Sequence, residues 1–306
     1  MLSLTILAPL SLIAAATIWG LVWYPYRLLD AAGVSGSVSS LATYLVALPV
    51  LLALVWRENR ARRRASQTLN WHELRWLFAL ALAAGWTNLT YVLAVIDGEV
   101  MRVMLLFYLA PLWTLFLARL MLGEKSGPRA YWVIALSVGG AYVMLSRAGG
   151  LPMPTNQAEW LAFSAGIGFA LTNVITRKIG AAPIALRSLW VFVGVGVLSA
   201  VYALHQVGAG PVVQTFVQLD SVSWLMIVGI GVALLAATFT VQYGLAHTPA
   251  NRAIVILLSE LVVAALASRI LAGELMDLRE WIGGSMIVAA TLFASKIELK
   301  AEAKHA

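Results

Sequence analysis

Apolar runs of about 20 residues, separated by short polar segments, recur along the whole chain, and a run of that length crosses a hydrocarbon layer of roughly 30 Å as a helix. The pattern predicts ten spans, over 5–26, 35–56, 71–96, 101–122, 130–147, 158–178, 185–206, 222–245, 252–273 and 279–297. Connections this short leave no room for a soluble domain, so the expected fold is an all-α integral membrane protein. The first run contains Ala14-Ala15-Ala16, which resembles a signal cleavage region, but no basic residue precedes it. We read it as a retained helix.

The same pattern occurs twice, in one register, 150 residues apart. Leu109-Ala110-Pro111 through Arg129 lies without a gap over Ser259-Glu260-Leu261 through Arg279. Arg102/Arg252, Arg119/Arg269, Gly123/Gly273 and Glu124/Glu274 coincide, and upstream Ala15, Leu21 and Arg27 meet Ala165, Leu171 and Arg177. Residues 1–150 and 151–306 are therefore expected to be two five-helix repeats, and an odd number of spans inverts the second. Ten transmembrane helices as two inverted repeats around a central cavity are the plan of a secondary transporter.

Composition narrows the classes. Hydrophobic residues make up 61% of the chain and charged ones 11%, against roughly 25% charge in soluble domains. The net charge of +7 is concentrated in the loop expected at Arg57–Arg64, which by the positive-inside rule is cytoplasmic. With that segment and both termini inside, 16 of the 21 Lys and Arg fall on cytoplasmic ends. This placement fits lipid headgroups and argues against nucleic acid. No cysteine is present, and the four histidines lack metal-ligand spacing, so no metal or cofactor is expected. No paired acids, His–acid pair or Ser–Lys dyad occurs at depth, which argues against an intramembrane enzyme.

Of the tryptophans, Trp56, Trp71, Trp76, Trp132, Trp160, Trp190, Trp224 and Trp281 sit near predicted span ends, where amphipathic rings anchor at headgroups. Trp19, Trp23, Trp86 and Trp113 lie deeper. Trp19 and Trp23 are four apart on one helix face, and an indole N–H in hydrocarbon needs a partner. The fourth span carries a stripe of Met101, Met104, Tyr108 and Pro111; the third carries Trp86, Asn88, Thr90 and Tyr91. Phe169, Thr172 and Asn173 on the sixth and Thr238, Gln242 and Tyr243 on the eighth lie at similar depth. Helix–helix bonding explains such groups as readily as a cavity does. Their shared depth favours a cavity with aromatic and Met walls, suited to apolar or aromatic small molecules.

Glu260 stands near the middle of the ninth span, where a carboxylate is costly and faces protein or water. It either bonds a neighbouring helix, meets a substrate ammonium or carries a proton. Its duplicate is Ala110, so the repeat does not require it. Pro25, Pro49 and Pro111 lie inside predicted spans and should kink them, with Tyr24-Pro25-Tyr26 a possible hinge. Gly123 and Gly273 should close their helices, leaving Glu124 and Glu274 to cap or to pair with Arg129 and Arg279.

Leu109-Ala110-Pro111 followed by Leu122-Gly123-Glu124, echoed as Leu271-Ala272-Gly273-Glu274, resembles the EamA-type drug/metabolite transporter superfamily over essentially the whole chain. Within it, the aromatic and Met richness is most similar to bacterial aromatic amino acid exporters of the YddG type. The resemblance implies a bacterial inner-membrane protein, able to act as a monomer, that exports small metabolites by alternating access. It implies amino acids, aromatic or neutral like methionine and threonine, as substrates; a cationic or aromatic drug is the alternative. It also implies cavity residues on spans one to four and six to nine, with spans five and ten peripheral. Leu261 replaces the proline of the first motif, which puts equal kinking of the halves in question.

The orientation has a direct test on this cysteine-free background. Arg60→Cys should resist an impermeant thiol reagent in intact cells and react after permeabilisation; labelling from outside would reverse the topology.

Overall fold

The structure is a computed structural model that describes residues 4–64, 71–123, 129–145, 153–179, 182–248 and 256–302. Among these residues every regular element is helical: α1 Leu4–Leu21, α2 Trp23–Ala31, α3 Gly36–Arg64, α4 Trp71–Asp97, α5 Val100–Phe107, α6 Ala110–Leu122, α7 Arg129–Leu145, α8 Gln157–Ile179, α9 Ile184–Val207, α10 Ala209–Gln218, α11 Ser221–His247, α12 Ser259–Leu271 and α13 Leu278–Glu302. Seven segments are long and apolar enough to cross a membrane: Leu7–Ala31, Gly36–Glu58, Trp71–Asp97, Val100–Leu122, Gln157–Ile179, Ile184–Val207 and Ser221–Gly244. The spans expected at 130–147, 252–273 and 279–297 fall on α7, α12 and α13, which are not among the seven.

One local expectation, a kink at Pro25, is met, and two are corrected. The first span is broken at Val22 into α1 and α2, because Pro25 has no N–H to offer the carbonyl four residues back. The basic segment 57–64 is the end of α3 and not a loop; Arg60 folds back over the Trp56 ring, 3.6 Å from its centroid. The connection before the eighth span contains α10, unforeseen, which buries Val212 and exposes Val213 and Val217. Pro49, by contrast, sits within a continuous α3.

Helix ends follow sequence signals. Gly123 and Gly273 both adopt left-handed φ, +69° and +68°, a conformation open to glycine at little cost. After Gly273 the chain closes α12 with a bond from the Glu274 N–H to the Ser268 carbonyl. Asn156 and Asp277 each accept from the N–H of a glutamate three residues on; the Glu280 carboxylate accepts in return from the Asp277 N–H, a reciprocal capping box at α13, while at α8 Glu159 accepts from the Thr155 N–H and the Asn156 side chain. Asp220 caps α11 by accepting from the Ser223 N–H, and its hydrogen bonds to the Ser223 hydroxyl and N–H hold its carboxyl below the usual range.

The principal contacts join the two halves and come in duplicate. α1 packs on α11 and α12, and at an offset of 150 α8 packs on α4 and α6. α3 packs on its own duplicate α9, and α7 on its duplicate α13. Glycine permits these approaches. A Cβ on Gly140 of α7 would fall 2.7 Å from the Gly283 carbonyl of α13, and one on Gly194 of α9 only 2.0 Å from the Ala81 carbonyl of α4. Two apolar clusters, around Trp23/Met104/Leu261 and around Tyr26/Phe192/Ile230, fill the end of the bundle that holds Arg27; a third, around Leu80/Ile175/Leu186, fills part of the opposite end.

Gly194→Ala should thus lower stability by about 1–3 kcal/mol, the range for overpacking, read as a lower Tm in detergent. Gly196→Ala, on the same helix with nothing within 4 Å of its added Cβ, should leave Tm unchanged.

Candidate functional site

Two helix breaks at duplicate positions open the centre of the bundle. Pro111 supplies no N–H to the Phe107 carbonyl, and α5 gives way to α6 through Tyr108 and Leu109. One repeat on, the chain turns at Leu258 before α12, and the Leu261 N–H bonds the Leu258 carbonyl three residues back. Leucine in place of proline does not prevent the break. Each break lies against a glycine of the other half: a Cβ on Gly166 of α8 would sit 2.8 Å from the Phe107 carbonyl, and one on Gly20 of α1 2.9 Å from that of Glu260.

Between the breaks lies a mainly apolar cavity of about 430 Å³, large enough for a small ligand. Its wall is itself duplicated at the offset of 150: Trp19 and Phe169, Asn88 and Thr238, Phe107 and Leu257, and Tyr108 and Leu258 all line it. Phe107 is the hub of an aromatic group, its centroid 5.5 Å from Tyr91, 5.1 Å from Phe169 and 6.1 Å from Tyr108. On another side Tyr44 stacks on Phe192 at 4.7 Å. Tyr44 also accepts from Asn88 Nδ2 at 2.8 Å, and the Asn88 carbonyl accepts from Ser40 Oγ at 2.6 Å.

Glu260 breaks the symmetry of this wall. It stands in the first turn of α12, not mid-helix, so the positive end of the helix dipole faces its carboxylate. Tyr108 Oη donates to Glu260 Oε2 at 3.0 Å, a bond from one half of the chain to the other. Among the described residues no basic side chain forms an ion pair with it.

The sequence-predicted residues divide. Trp19, Asn88, Tyr91, Tyr108, Phe169 and Glu260 line the cavity together with Thr172, Thr238 and Pro111. Trp23 does not: one turn beyond Trp19 it is buried in a packed cluster, where its indole donates to the Gly20 carbonyl at 2.9 Å. Met101 and Met104 are likewise core, since the stripe assumed a straight helix through the break at Tyr108. Trp86 is 48% exposed on the side of α4 away from the cavity. Asn173, Gln242 and Tyr243 are partly buried but absent from the wall, and Tyr243 stacks on His247 at 4.4 Å. Tyr44, Thr87, Phe107 and Phe192 were not foreseen. The offset of 150 could have found Leu257 and Leu258 as duplicates of Phe107 and Tyr108, whereas nothing in the sequence marks Tyr44. α7 contributes no lining residue, but Thr291 of α13 reaches the wall.

At the Arg27 end charged groups as well as apolar clusters join the two halves. Arg27 Nη1 lies 3.0 Å from Glu274 Oε1, while its other nitrogens donate to the carbonyls of Val95 and Gly98. Glu274 Oε2 also accepts from the Val100 N–H at the start of α5. It therefore pairs with Arg27 and caps another helix, correcting the expected pairing with Arg279; Glu124 and Arg252 lie outside the described residues. Buried Arg102 of α5 meets both of the helix-start acids, with Nε 3.2 Å from Glu159 and Nη1 3.9 Å from Glu280. Each of these ion pairs joins the first half to the second. At the opposite end Lys178 donates to the Met121 carbonyl and lies 4.5 Å from the Trp76 centroid.

Comparison with known proteins agrees with this architecture. The family model of EamA-like transporters matches twice, over residues 6–146 and 156–296, which is the same offset of 150. An uncharacterized transporter of Archaeoglobus fulgidus is 29% identical over 224 residues, 72% of this chain and 76% of its own. An uncharacterized transporter of Pseudomonas aeruginosa is 25% identical over 173 residues, 56% of this chain and 54% of its own. A crystal structure at 17% identity shares the fold, with a TM-score of 0.59 over 96% of this chain and 98% of its own.

Trp19→Ala removes a large apolar wall, a loss of order 1–2 kcal/mol or about tenfold in affinity, and should reduce transport with expression intact. Trp86→Ala should leave transport unchanged. Equal losses in both, measured in proteoliposomes, would overturn the placement of the site.

Proposed function

The chain belongs to the EamA-like transporter family, and from that premise we propose that it exports small amphipathic molecules bearing an ammonium group from the cytoplasm by alternating access. The carrying observation is Glu260, an acid at a half-helix N-terminus inside an aromatic cavity. A carboxylate in such a place pairs with a positive ligand group, and aromatic faces favour both cations and ring-bearing substrates. Neutral and aromatic amino acids, the substrates implied by the sequence resemblance, carry that group. Cationic aromatic compounds carry it too, and the lack of a basic residue among the described wall residues favours this second reading.

In this reading the chain forms ten spans as two inverted repeats, with both termini cytoplasmic. The ion pairs of Arg27 and Arg102 then lie on the outer side, and the cavity is shut from outside. Opening outward requires the two halves to part at that end, so Arg27–Glu274 and Arg102–Glu159 must separate. Interleaved cross-half contacts support a movement in which breaking one end makes the other, since each half carries the duplicate of its partner's contacts.

Two experiments test this function. Counterflow of labelled phenylalanine, methionine and cationic dyes in proteoliposomes of pure protein should show saturable exchange with at least one class. Glu260→Gln keeps the shape and loses the charge; a charge-assisted bond of about 1.5–3 kcal/mol makes the expected loss about tenfold or more. Wild-type rates with only a lower Tm would make the residue structural. For the gate, Glu274→Gln should increase outside labelling of Val22→Cys in the cavity wall; an unchanged rate would exclude that ion pair from gating.

A further inference from the structure

The wall of the cavity is unbalanced in charge and in hydrogen-bond sense. Its formal charge comes from Glu260; no Lys, Arg or His stands among the described lining residues. The lining threonines turn their hydrogens away from the ligand space. Thr87 donates to the Ala83 carbonyl, Thr172 to that of Gly168, Thr238 to that of Leu234 and Thr291 to that of Ile287. A hydroxyl so engaged offers only oxygen lone pairs to anything else. The Tyr108 hydrogen goes to Glu260, and one Asn88 amide hydrogen goes to Tyr44. What remains for an acceptor on the ligand are neutral donors, the Tyr91 and Tyr44 hydroxyls, the second Asn88 hydrogen and the Trp19 indole, set on three different helices.

We infer that this cavity selects organic amines without a carboxylate: an ammonium held by Glu260 and an apolar or aromatic body lying among Trp19, Phe107, Tyr91 and Phe169. This deepens the proposed function and rests on it, naming the substrate class of the same site. A free amino acid satisfies Glu260 with its ammonium but brings a second negative charge into a space already holding one. A carboxylate taken from water is best met by a cation; the described wall holds none, its remaining donors are neutral, and Glu260 repels it. Esterification or removal of the carboxyl lifts that penalty without changing the ammonium or the ring.

Four compounds that share a phenyl ring and a two-carbon link separate the possibilities: phenethylamine, phenylalanine methyl ester, phenylalanine and 3-phenylpropionate. Counterflow of labelled phenethylamine into proteoliposomes, with protein-free vesicles as the leak control, is read in the presence of each of the others. The expected result is competition by the methyl ester close to that of phenethylamine itself, about tenfold or more weaker competition by phenylalanine, and none by 3-phenylpropionate. In detergent the same order should appear as ligand-induced rises in Tm, and Glu260→Gln should flatten it while the protein remains folded. Phenylalanine competing as well as its ester would overturn the inference and leave the export of ammonium-bearing molecules standing. Exchange of labelled phenylalanine without any of phenethylamine would do the same. Failure of every compound, dyes and amino acids included, to exchange above the leak control would overturn the proposed function itself.

Discussion

Inside a bilayer a backbone carbonyl that loses its helical donor must find protein or water, and that constraint organises this molecule. The chain interrupts its helices at Tyr108–Leu109 and again at Leu258, and both interruptions face the interior cavity. Gly166 packs against the Phe107 carbonyl that Pro111 leaves without a helical donor, and Gly20 against the first turn of α12, each from the opposite half. The cavity is thus a product of the breaks. Without them the fourth span would be a continuous stripe, and Glu260 would lie in a helix interior without a nearby positive dipole end.

The breaks also explain why one acid can be held at that depth. Glu260 sits at the start of α12, with the Tyr108 hydroxyl at 3.0 Å. Both supports come from the break itself, since Leu258 begins α12 and Tyr108 ends α5 at duplicate positions. Ala110, the counterpart of Glu260, lines the same wall without a charge. The duplicated scaffold therefore supplies a symmetric space, and a single departure from symmetry gives it a polarity.

The charged contacts between the two halves are concentrated at one end. Two of the three apolar clusters and the ion pairs of Arg27 and Arg102 lie there. Arginine suits this task because its planar fork binds several acceptors at once: Arg27 holds two carbonyls and a carboxylate, and Arg102 sits between two carboxylates that already cap helices. Buried and half-buried pairs of this kind add little net stability once desolvation is counted; here they fix which helix of one half meets which helix of the other.

The sequence by itself determined the helical class, the duplication and its register, because hydrophobic period and offset are properties of local order that survive without contacts. It also marked Trp19, Asn88, Tyr91, Tyr108, Phe169 and Glu260, whose polarity or size at depth is unusual wherever they point. Tertiary structure decided the rest. Met101 and Met104 left the cavity because the break at Tyr108 interrupts their stripe, and Trp23 because it is packed into a cluster one turn beyond Trp19; a face count along a straight helix sees neither. Tyr44, Phe107 and Phe192 entered it because helices distant in sequence bring them there. The partners of Glu274 and Arg102 were equally invisible, since charges meet across the two halves only after the halves interleave. Local pattern is written along the chain; which charge meets which depends on helix packing, and packing is set by steric fit between elements far apart in sequence.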